Sequence, residues 1–444
     1  MSIIKINQLP ASTGLTSDDL LMVMDNPNGT QITQNITLDS LRNSILNQAA
    51  TLQFRQGLDS ERQLITPASA EPIWTTDNKK LYIGDGSTVG GIPVGSAFVE
   101  TTSGNINTLS VFSNNSISST GTTLNTVAGG TSNFVSSNCS YNLIGGGISN
   151  SISGTVSFPS DRSSILGGAS NLISNSTYSQ IVGGLSNSIT TQWYQFIGGG
   201  YQNFSRGSYN VICGGYQNIG SGSSIFIGGG SFNNIDVSTQ YGCILGGQTN
   251  SILTNYSSII GGAFNTTSGI YSSIIGGARA KTGLYGEIAH AGGNFASPGD
   301  AQHSILVCRV STADATANVL LNANGGTTLL TNPTATLSRN FLYMIDRTAI
   351  NFEIKITAYN DTDSAAAMWN FYGGAKRASG ANTVSFIGTP TSGVWQDAAM
   401  TGTSVNLFAD TTNGGILIRV NGLAGKTIRW VGVIDYVQTT FGTP

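Results

Sequence analysis

Charged side chains are scarce: of 444 residues 19 are basic and 22 acidic, against roughly a quarter charged in ordinary soluble domains. The net charge of −3 and the lack of any Lys/Arg cluster exclude the electrostatic footprint that nucleic acid demands. Four cysteines, Cys139, Cys213, Cys243 and Cys308, are too few and too dispersed for a disulfide framework, and no CxxC or His-rich zinc spacing occurs. Cys213 and Cys243 fall in different columns of the repeat described below, and read as packing thiols. No run of apolar residues is long enough to span a bilayer. The opening MSIIKINQLPAS lacks the basic, apolar and small-residue regions of a secretory signal. The sequence therefore implies synthesis in the cytoplasm, with no membrane insertion, no cofactor and no metal.

Glycine, in contrast, is abundant at 58 residues, in a chain with 39% hydrophobic content, too apolar for disorder. Charge is thinnest between 101 and 300, where paired glycines recur with first members at 129, 146, 167, 183, 199, 214, 229, 246, 261, 276 and 292. Spacings of 15 to 21 residues are too short for helix pairs and suit one coil of a β-solenoid. Two residues before the pair stand Ile144, Ile165, Ile181, Ile197, Ile212, Ile227, Ile244, Ile259 and Ile274; His290 occupies this column in the last unit. Four residues after the first glycine stand Asn133, Asn150, Asn171, Asn187, Asn203, Asn218, Asn233, Asn250 and Asn265. Stacked at about 4.8 Å per coil, these columns become an isoleucine ladder filling the interior and an asparagine ladder whose amides bond the copies above and below. Glycine pair and asparagine are both expected at corners, where left-handed backbone is needed. A tyrosine column, Tyr141, Tyr178, Tyr194, Tyr209, Tyr241, Tyr256 and Tyr271, is either a face buried between chains or an exposed stripe for stacking on sugars.

Between isoleucine and glycine the chain carries Leu166, Val182, Cys213, Leu245, Ile260 and Ile275, which point to the opposite face. A strand apolar on both sides is buried on both, so the outer row needs a cover. Two further copies around a threefold axis supply the simplest one, and a homotrimer is expected.

The coil Ser257-Ser258-Ile259-Ile260-Gly261-Gly262 with Asn265 resembles the parallel β-roll of trimeric autotransporter adhesin heads and related coils in phage tail fibres. The resemblance covers roughly 127–296. Adhesins carry a secretion signal and a membrane anchor, which are not found here, and usually Ala-Ile-Gly where this chain has Ile-Gly-Gly; the phage fibre is the better match. Residues 1–47 look like a small fibre-attachment module, with Thr37 expected to cap a short helix bearing Leu38, Leu41 and Ile45 on one face. The stretch Trp74-Thr75-Thr76-Asp77-Asn78-Lys79-Lys80-Leu81-Tyr82-Ile83-Gly84-Asp85-Gly86-Ser87-Thr88 is similar to a recurrent phage fibre module. Its own pattern reads as turn, alternating strand with Leu81 and Ile83, and second turn at Asp85-Gly86.

After the coils, segments such as Ile305–Val307, Phe352–Ile356, Val384–Phe386, Ile416–Val420 and Ile428–Val431 alternate between Gly/Asn/Asp turns. They read as an antiparallel β-sandwich of jelly-roll type, and the Asp410–Gly414 and Gly425–Val431 stretches resemble the terminal domain of phage fibres. The expected fold is all-β: an attachment module over 1–50, a small β-rich fibre module over 51–100, a β-roll of about eleven coils over 101–296, and a sandwich tip over 297–444.

Chemistry is sparse. A glycoside hydrolase needs two carboxylates about 5 to 9.5 Å apart, yet between 101 and 286 the acids are Asp161 and Asp236, four coils and about 19 Å apart. No GxSxG, P-loop or dinucleotide fingerprint stands in the right context, so no enzyme is expected. His290 and His303 are the two histidines; His290 reads as a cap on the core, the alternative being an axial metal site between three chains. The resemblance implies a virion tail fibre that docks on tail or baseplate proteins by its N-terminus and meets host polysaccharide or lipopolysaccharide with its tip. Tip residues suited to that contact are Asp361, Asp363, Tyr372, Arg377 and Trp395, from aromatic stacking and polar hydrogen bonding. A structural appendage without receptor contact is the alternative, and a depolymerising spike the less favoured one.

Overall fold

The computed structural model describes residues 20–24, 33–37, 55–94, 99–100, 108–109, 114–118, 124–136, 138–333, 338–380 and 382–441. The helix expected over 38–45 lies outside them. The chain divides into two compact units, residues 1–95 and 96–444.

In the first unit Leu20–Met24 and Thr33–Thr37 form an antiparallel pair. A four-stranded sheet joins Arg55–Gly57, Pro72–Thr75, Leu81–Ile83 and Ile92–Pro93. The Asp77-Asn78 turn forms as expected between its second and third strands. The strand after it has the opposite phase: Tyr82, not Leu81 or Ile83, faces inward beside Ile73 and Thr75. Arg62 decides this, because its guanidinium lies 3.8 Å over the Tyr82 ring while Asp59 and the Gly90 carbonyl hold its nitrogens. At the second turn Asp85 accepts from the backbone of Ser87 and Thr88 and from the Thr88 hydroxyl. Those bonds hold its carboxyl far below the usual range.

The second unit opens with the solenoid. Each coil contributes one short strand to each of two parallel sheets; the second sheet has eleven strands, from Ser116–Ile117 to Lys281–Thr282. In the first sheet isoleucine pairs with isoleucine from coil to coil, and the ladder from Ile144 to Ile274 is fully buried. Facing it is a second ladder that glycine alignment did not reveal: Val135, Ile152, Ile173, Ile189, Ile235 and Ile252. Where this second ladder shrinks to Ser205 and Gly220, its neighbours grow. Gln195 accepts a 2.6 Å bond from Ser205, and the Ile225 methyl occupies the space a Gly220 side chain would need. Close packing is thus conserved coil by coil.

The asparagines are buried and bridge three coils. Asn218 Oδ1 accepts from the Asn233 amide at 3.0 Å, and its Nδ2 donates to the Gly214 and Gly230 carbonyls. Ala280 ends the ladder by donating its own amide to Asn265. The left-handed corner is not at asparagine, as expected, but one residue earlier, at Ser132, Ser149, Phe264 and their equivalents. Asparagine needs ordinary backbone to aim its amide along the stack. Only the glycine half of the corner expectation holds, at the second glycine of each pair, for example Gly262 with φ +87.

The first sheet does not stop at the last coil. Ile288–Gly292 pairs antiparallel with Ala301–Thr312, which leads through Ile428–Thr440 and Thr348–Asn360 to Ala365–Arg377 and Val384–Gln396. A smaller antiparallel sheet has Gly415–Asn421 at its centre, flanked by Ser404–Asp410 on one edge and by Val319–Leu321 and Leu342–Tyr343 on the other. The two enclose a core of Ile354, Ile356, Trp369, Trp430, Ile416, Ile418 and Val420. This is the antiparallel sandwich read from sequence. His290 does not cap the solenoid core. The register shifts after Ile274, Ala289 takes the column and is buried, and His290 turns to the outer face opposite His303.

Candidate functional site: the junction of solenoid and sandwich

A cavity of about 200 Å³ opens where the last coil meets the sandwich. Lys281 enters it from the last strand of the second solenoid sheet, where the preceding coils carry Thr266 and Ser251. Gln302, Tyr436 and Gln438 enter from the even-numbered, inward face of the sandwich sheet, while Arg339, Tyr343, Pro333 and Ile345 close the far side. Gln302 clamps the junction: its Oε1 accepts from the Lys281 amide at 2.9 Å and its Nε2 donates to the Lys281 carbonyl at 2.8 Å. Arg339 donates to the Thr331 carbonyl, and its guanidinium stacks 3.8 Å over Tyr343.

Glu287 is the acid lining this cavity and is 3% exposed. Its Oε2 accepts from the Gly283 and Leu284 amides at 2.8 and 3.0 Å, and Tyr436 donates its hydroxyl to Oε1 at 2.9 Å. Burial pushes the carboxyl above its ordinary value, against the pull of those bonds. Burial also raises Tyr436 well above its ordinary value, with Glu287 adding to it. Lys281 and Arg339 are both drawn down by desolvation. The cavity therefore holds two cations and one acid whose surroundings favour its proton.

The sequence-selected tip residues do not converge. Asp361 and Asp363 lie in the turn after Asn360, where Asp363 accepts from Asn360 and, at 2.7 Å, from Lys426. Arg377 lies at the opposite end of the following strand, about 40 Å away at 13 residues of extended chain. There it donates to the Met344 carbonyl and to Asn382. Tyr372 and Trp395 are exposed on neighbouring strands, opposite Thr391 and Met368 respectively.

Two surface arrays remain. Tyr178, Tyr194 and Tyr209 stack at 4.9 and 5.2 Å, and Tyr241, Tyr256 and Tyr271 at 4.9 and 4.8 Å. Arg162 lies between Tyr141 and Tyr178 and continues the column. Within each run the rings stack face to face, so few faces inside a run are left for sugar rings. On the first sheet, Leu166, Val182, Cys213, Leu245, Ile260 and Ile275 are exposed, and the same face runs on through Ile305, Val307, Val431 and Val433 of the sandwich. The second sheet turns a mixed row outward, Ser151, Ser188, Ser251 and Thr266 together with Phe134, Leu172, Phe204 and Ile219. His303 donates or accepts at 2.7 Å with Asp435 on the apolar face. Among the described residues no helix is long and apolar enough to cross a membrane.

Residues 52–88 match the family model of the major tropism determinant N-terminal domain. No curated protein sequence matches the chain. Three phage tailspikes are similar in structure. The gp49 tailspike of Acinetobacter baumannii bacteriophage Fri1, a capsular polysaccharide depolymerase, is 8% identical, with 72% of this chain and 66% of that one covered and a TM-score of 0.17. The Acinetobacter baumannii phage AM24 tailspike is 10% identical, at 73% and 69% coverage and a TM-score of 0.21. That of Acinetobacter phage vB_ApiP_P1 is 8% identical, at 85% and 98% coverage and a TM-score of 0.18. Scores this low transfer no residue and no activity.

The expectation that the chain is not an enzyme is nevertheless withdrawn, because a capsular polysaccharide depolymerase stands among the similar chains. The resemblance to phage fibres drawn from residues 74–88 holds: that stretch lies within the tropism-determinant match.

Proposed function

We propose that the chain is a phage receptor-binding fibre, carried on the virion and assembled as a homotrimer. The carrying observation is the tropism-determinant match at residues 52–88, on a chain whose second unit is a solenoid ending in a sandwich. In this reading the N-terminal unit docks on tail or baseplate proteins. About thirteen coils make a stiff spacer of about 60 Å, and the sandwich meets host polysaccharide or lipopolysaccharide. Tip contacts are assigned to Asp361, Asp363, Tyr372, Arg377 and Trp395, with weak single contacts multiplied by three tips.

The trimer reading is supported by the apolar row that the first sheet turns outward. Leu166, Val182, Leu245, Ile260 and Ile275 are each about half exposed, and covering the remainder contributes about 1 kcal/mol per side chain. Purified full-length chain should block adsorption of its phage to host cells, and light scattering should return three chain masses. A chain that leaves adsorption untouched refutes the receptor reading; a monomer refutes the trimer. Reducing-sugar release from host capsule is measured in the same experiment.

A further inference from the structure

We infer that a cleft on the outer side of the smaller sandwich sheet binds an uncharged stretch of sugar chain, with Arg419 donating to its hydroxyls and Asn413 accepting from them. This rests on the receptor reading and adds a contact and its ligand class. The cleft has a volume of about 600 Å³, within the range of ordinary ligand sites. It follows the strand Gly415–Asn421 from the 410–413 turn at one end to residues 316–318 at the other, about 20 Å at extended spacing. That length suits several linked rings better than one. Along the strand Ile416, Ile418 and Val420 face the sandwich core, while Leu417 and Arg419 face the cleft. Leu320, Leu329 and Leu417 line it and belong to a small apolar cluster with Phe341, a floor for the C–H face of a pyranose.

The polar groups that rim this floor are held in place by the fold and keep hydrogen-bonding capacity in reserve. The Arg419 guanidinium lies 4.6 Å over the Phe408 ring, and among the described residues no hydrogen bond engages it. Asp410 accepts from the Thr412 and Asn413 amides on one carboxylate oxygen and from Asn413 Nδ2, at 2.8 Å, on the other. That last bond fixes which way the Asn413 side chain faces and leaves its Oδ1 as an acceptor with no partner among the described residues. The turn is braced from behind. Arg377 donates to Asn382 Oδ1 at 2.6 Å, and Asn382 Nδ2 donates to the Thr412 carbonyl at 2.9 Å. Groups fixed in this way lose little freedom on binding.

Charge selects the class of sugar. Asp410 and Arg419 are the charged residues lining the cleft. Burial works to raise the Asp410 carboxyl, but the bonds from Asn413 and Thr412 and the charge of Arg419 outweigh it and hold the group below its ordinary value. One anion and one cation therefore face each other and compensate. An acidic sugar would meet Asp410 and an amino sugar Arg419, whereas hydroxyls, each both donor and acceptor, suit the two together.

Trimer assembly leaves the site open. The cleft lies outside the smaller sheet, whereas the apolar row proposed to be covered lies on the outer face of the larger one. Tyr372 and Trp395 also belong to the larger sheet, so the cleft adds a separate contact to the tip.

The test uses the full chain and surface polysaccharide from the host, in three forms: native, phosphatase-treated, and with its carboxyl groups reduced to alcohols. Binding is read by calorimetry beside adsorption blocking. The expected result is equal binding to all three polymers, little changed by added salt. Arg419→Met keeps the contact with Phe408 and removes the donors. Thr327→Trp fills the cleft from an exposed position on its rim. Each variant, melting like the parent, should bind about tenfold more weakly or worse. Loss of binding on carboxyl reduction or phosphatase treatment overturns the inference. Parent-like binding in either folded variant also overturns it, while adsorption blocking by the parent leaves the receptor reading standing. A parent chain that neither binds any of the polymers nor blocks adsorption refutes the receptor reading, and the cleft assignment falls with it.

Discussion

The second glycine of each pair is the most demanding position in the solenoid, and Gly262→Ala against Gly261→Ala isolates why. At Gly262 a methyl would lie 1.9 Å from the Gly277 carbonyl oxygen, with φ at +87. At Gly261 nothing lies within 4 Å and the backbone is ordinary. The threatened carbonyl accepts from the Ala263 amide at 3.0 Å and from Asn265 Nδ2 at 3.1 Å, so retreat by about 1 Å weakens two bonds at once, each worth about 0.5–1.5 kcal/mol. Left-handed backbone for alanine adds about 1–2 kcal/mol. Gly262→Ala should therefore lose about 2–5 kcal/mol, and Gly261→Ala about 0.5 or less. Denaturant unfolding followed by circular dichroism measures both, and hydrogen exchange should place the loss in the coils flanking 262. Two variants of equal stability would refute the reasoning, because composition and chain position are matched and only backbone conformation and cross-coil sterics differ.

Asn218→Ala orphans the Asn233 amide and the Gly214 carbonyl and takes one of two donors from the Gly230 carbonyl, which keeps the Tyr216 amide; it should cost about 3 kcal/mol in denaturant unfolding, and a loss below 1 would mean the ladder relaxes around the gap. Ile260→Asp changes a side chain half exposed in the single chain, so coils should stay folded by circular dichroism while sedimentation shifts from trimer to monomer; a persistent trimer would move the interface elsewhere. Glu287 has its folded value raised above the ordinary 4.5, so the folded state holds the extra proton and stability is lost as pH rises from 4.5 through the raised value. Glu287→Gln should flatten that part of the stability profile, and an unchanged slope would show that the carboxyl ionises freely.

The coils were legible because repetition is itself a signal: nine isoleucines at one offset and nine asparagines at another have one physical explanation, a stack in which each residue meets its own copy. The second ladder was less legible because Ser205 and Gly220 interrupt it, and the compensating Gln195 and Ile225 sit in a different column, four residues before the glycine pair. His290 was misplaced because counting back from Gly292 assumes the spacing survives to the end, whereas the register shifts after Ile274. Glu287 was missed for the same reason, and because its partner Tyr436 lies 149 residues away. A local signal existed nonetheless: it is an acid one coil beyond Ser257 and Ser272, which hold the same column in the two preceding coils. The two facts are connected. A ladder is stable when each rung repeats the last, while recognition needs unlike groups to converge. Chemistry in such a chain is therefore to be sought where the repeat fails, and Lys281 and Glu287 stand where this one does.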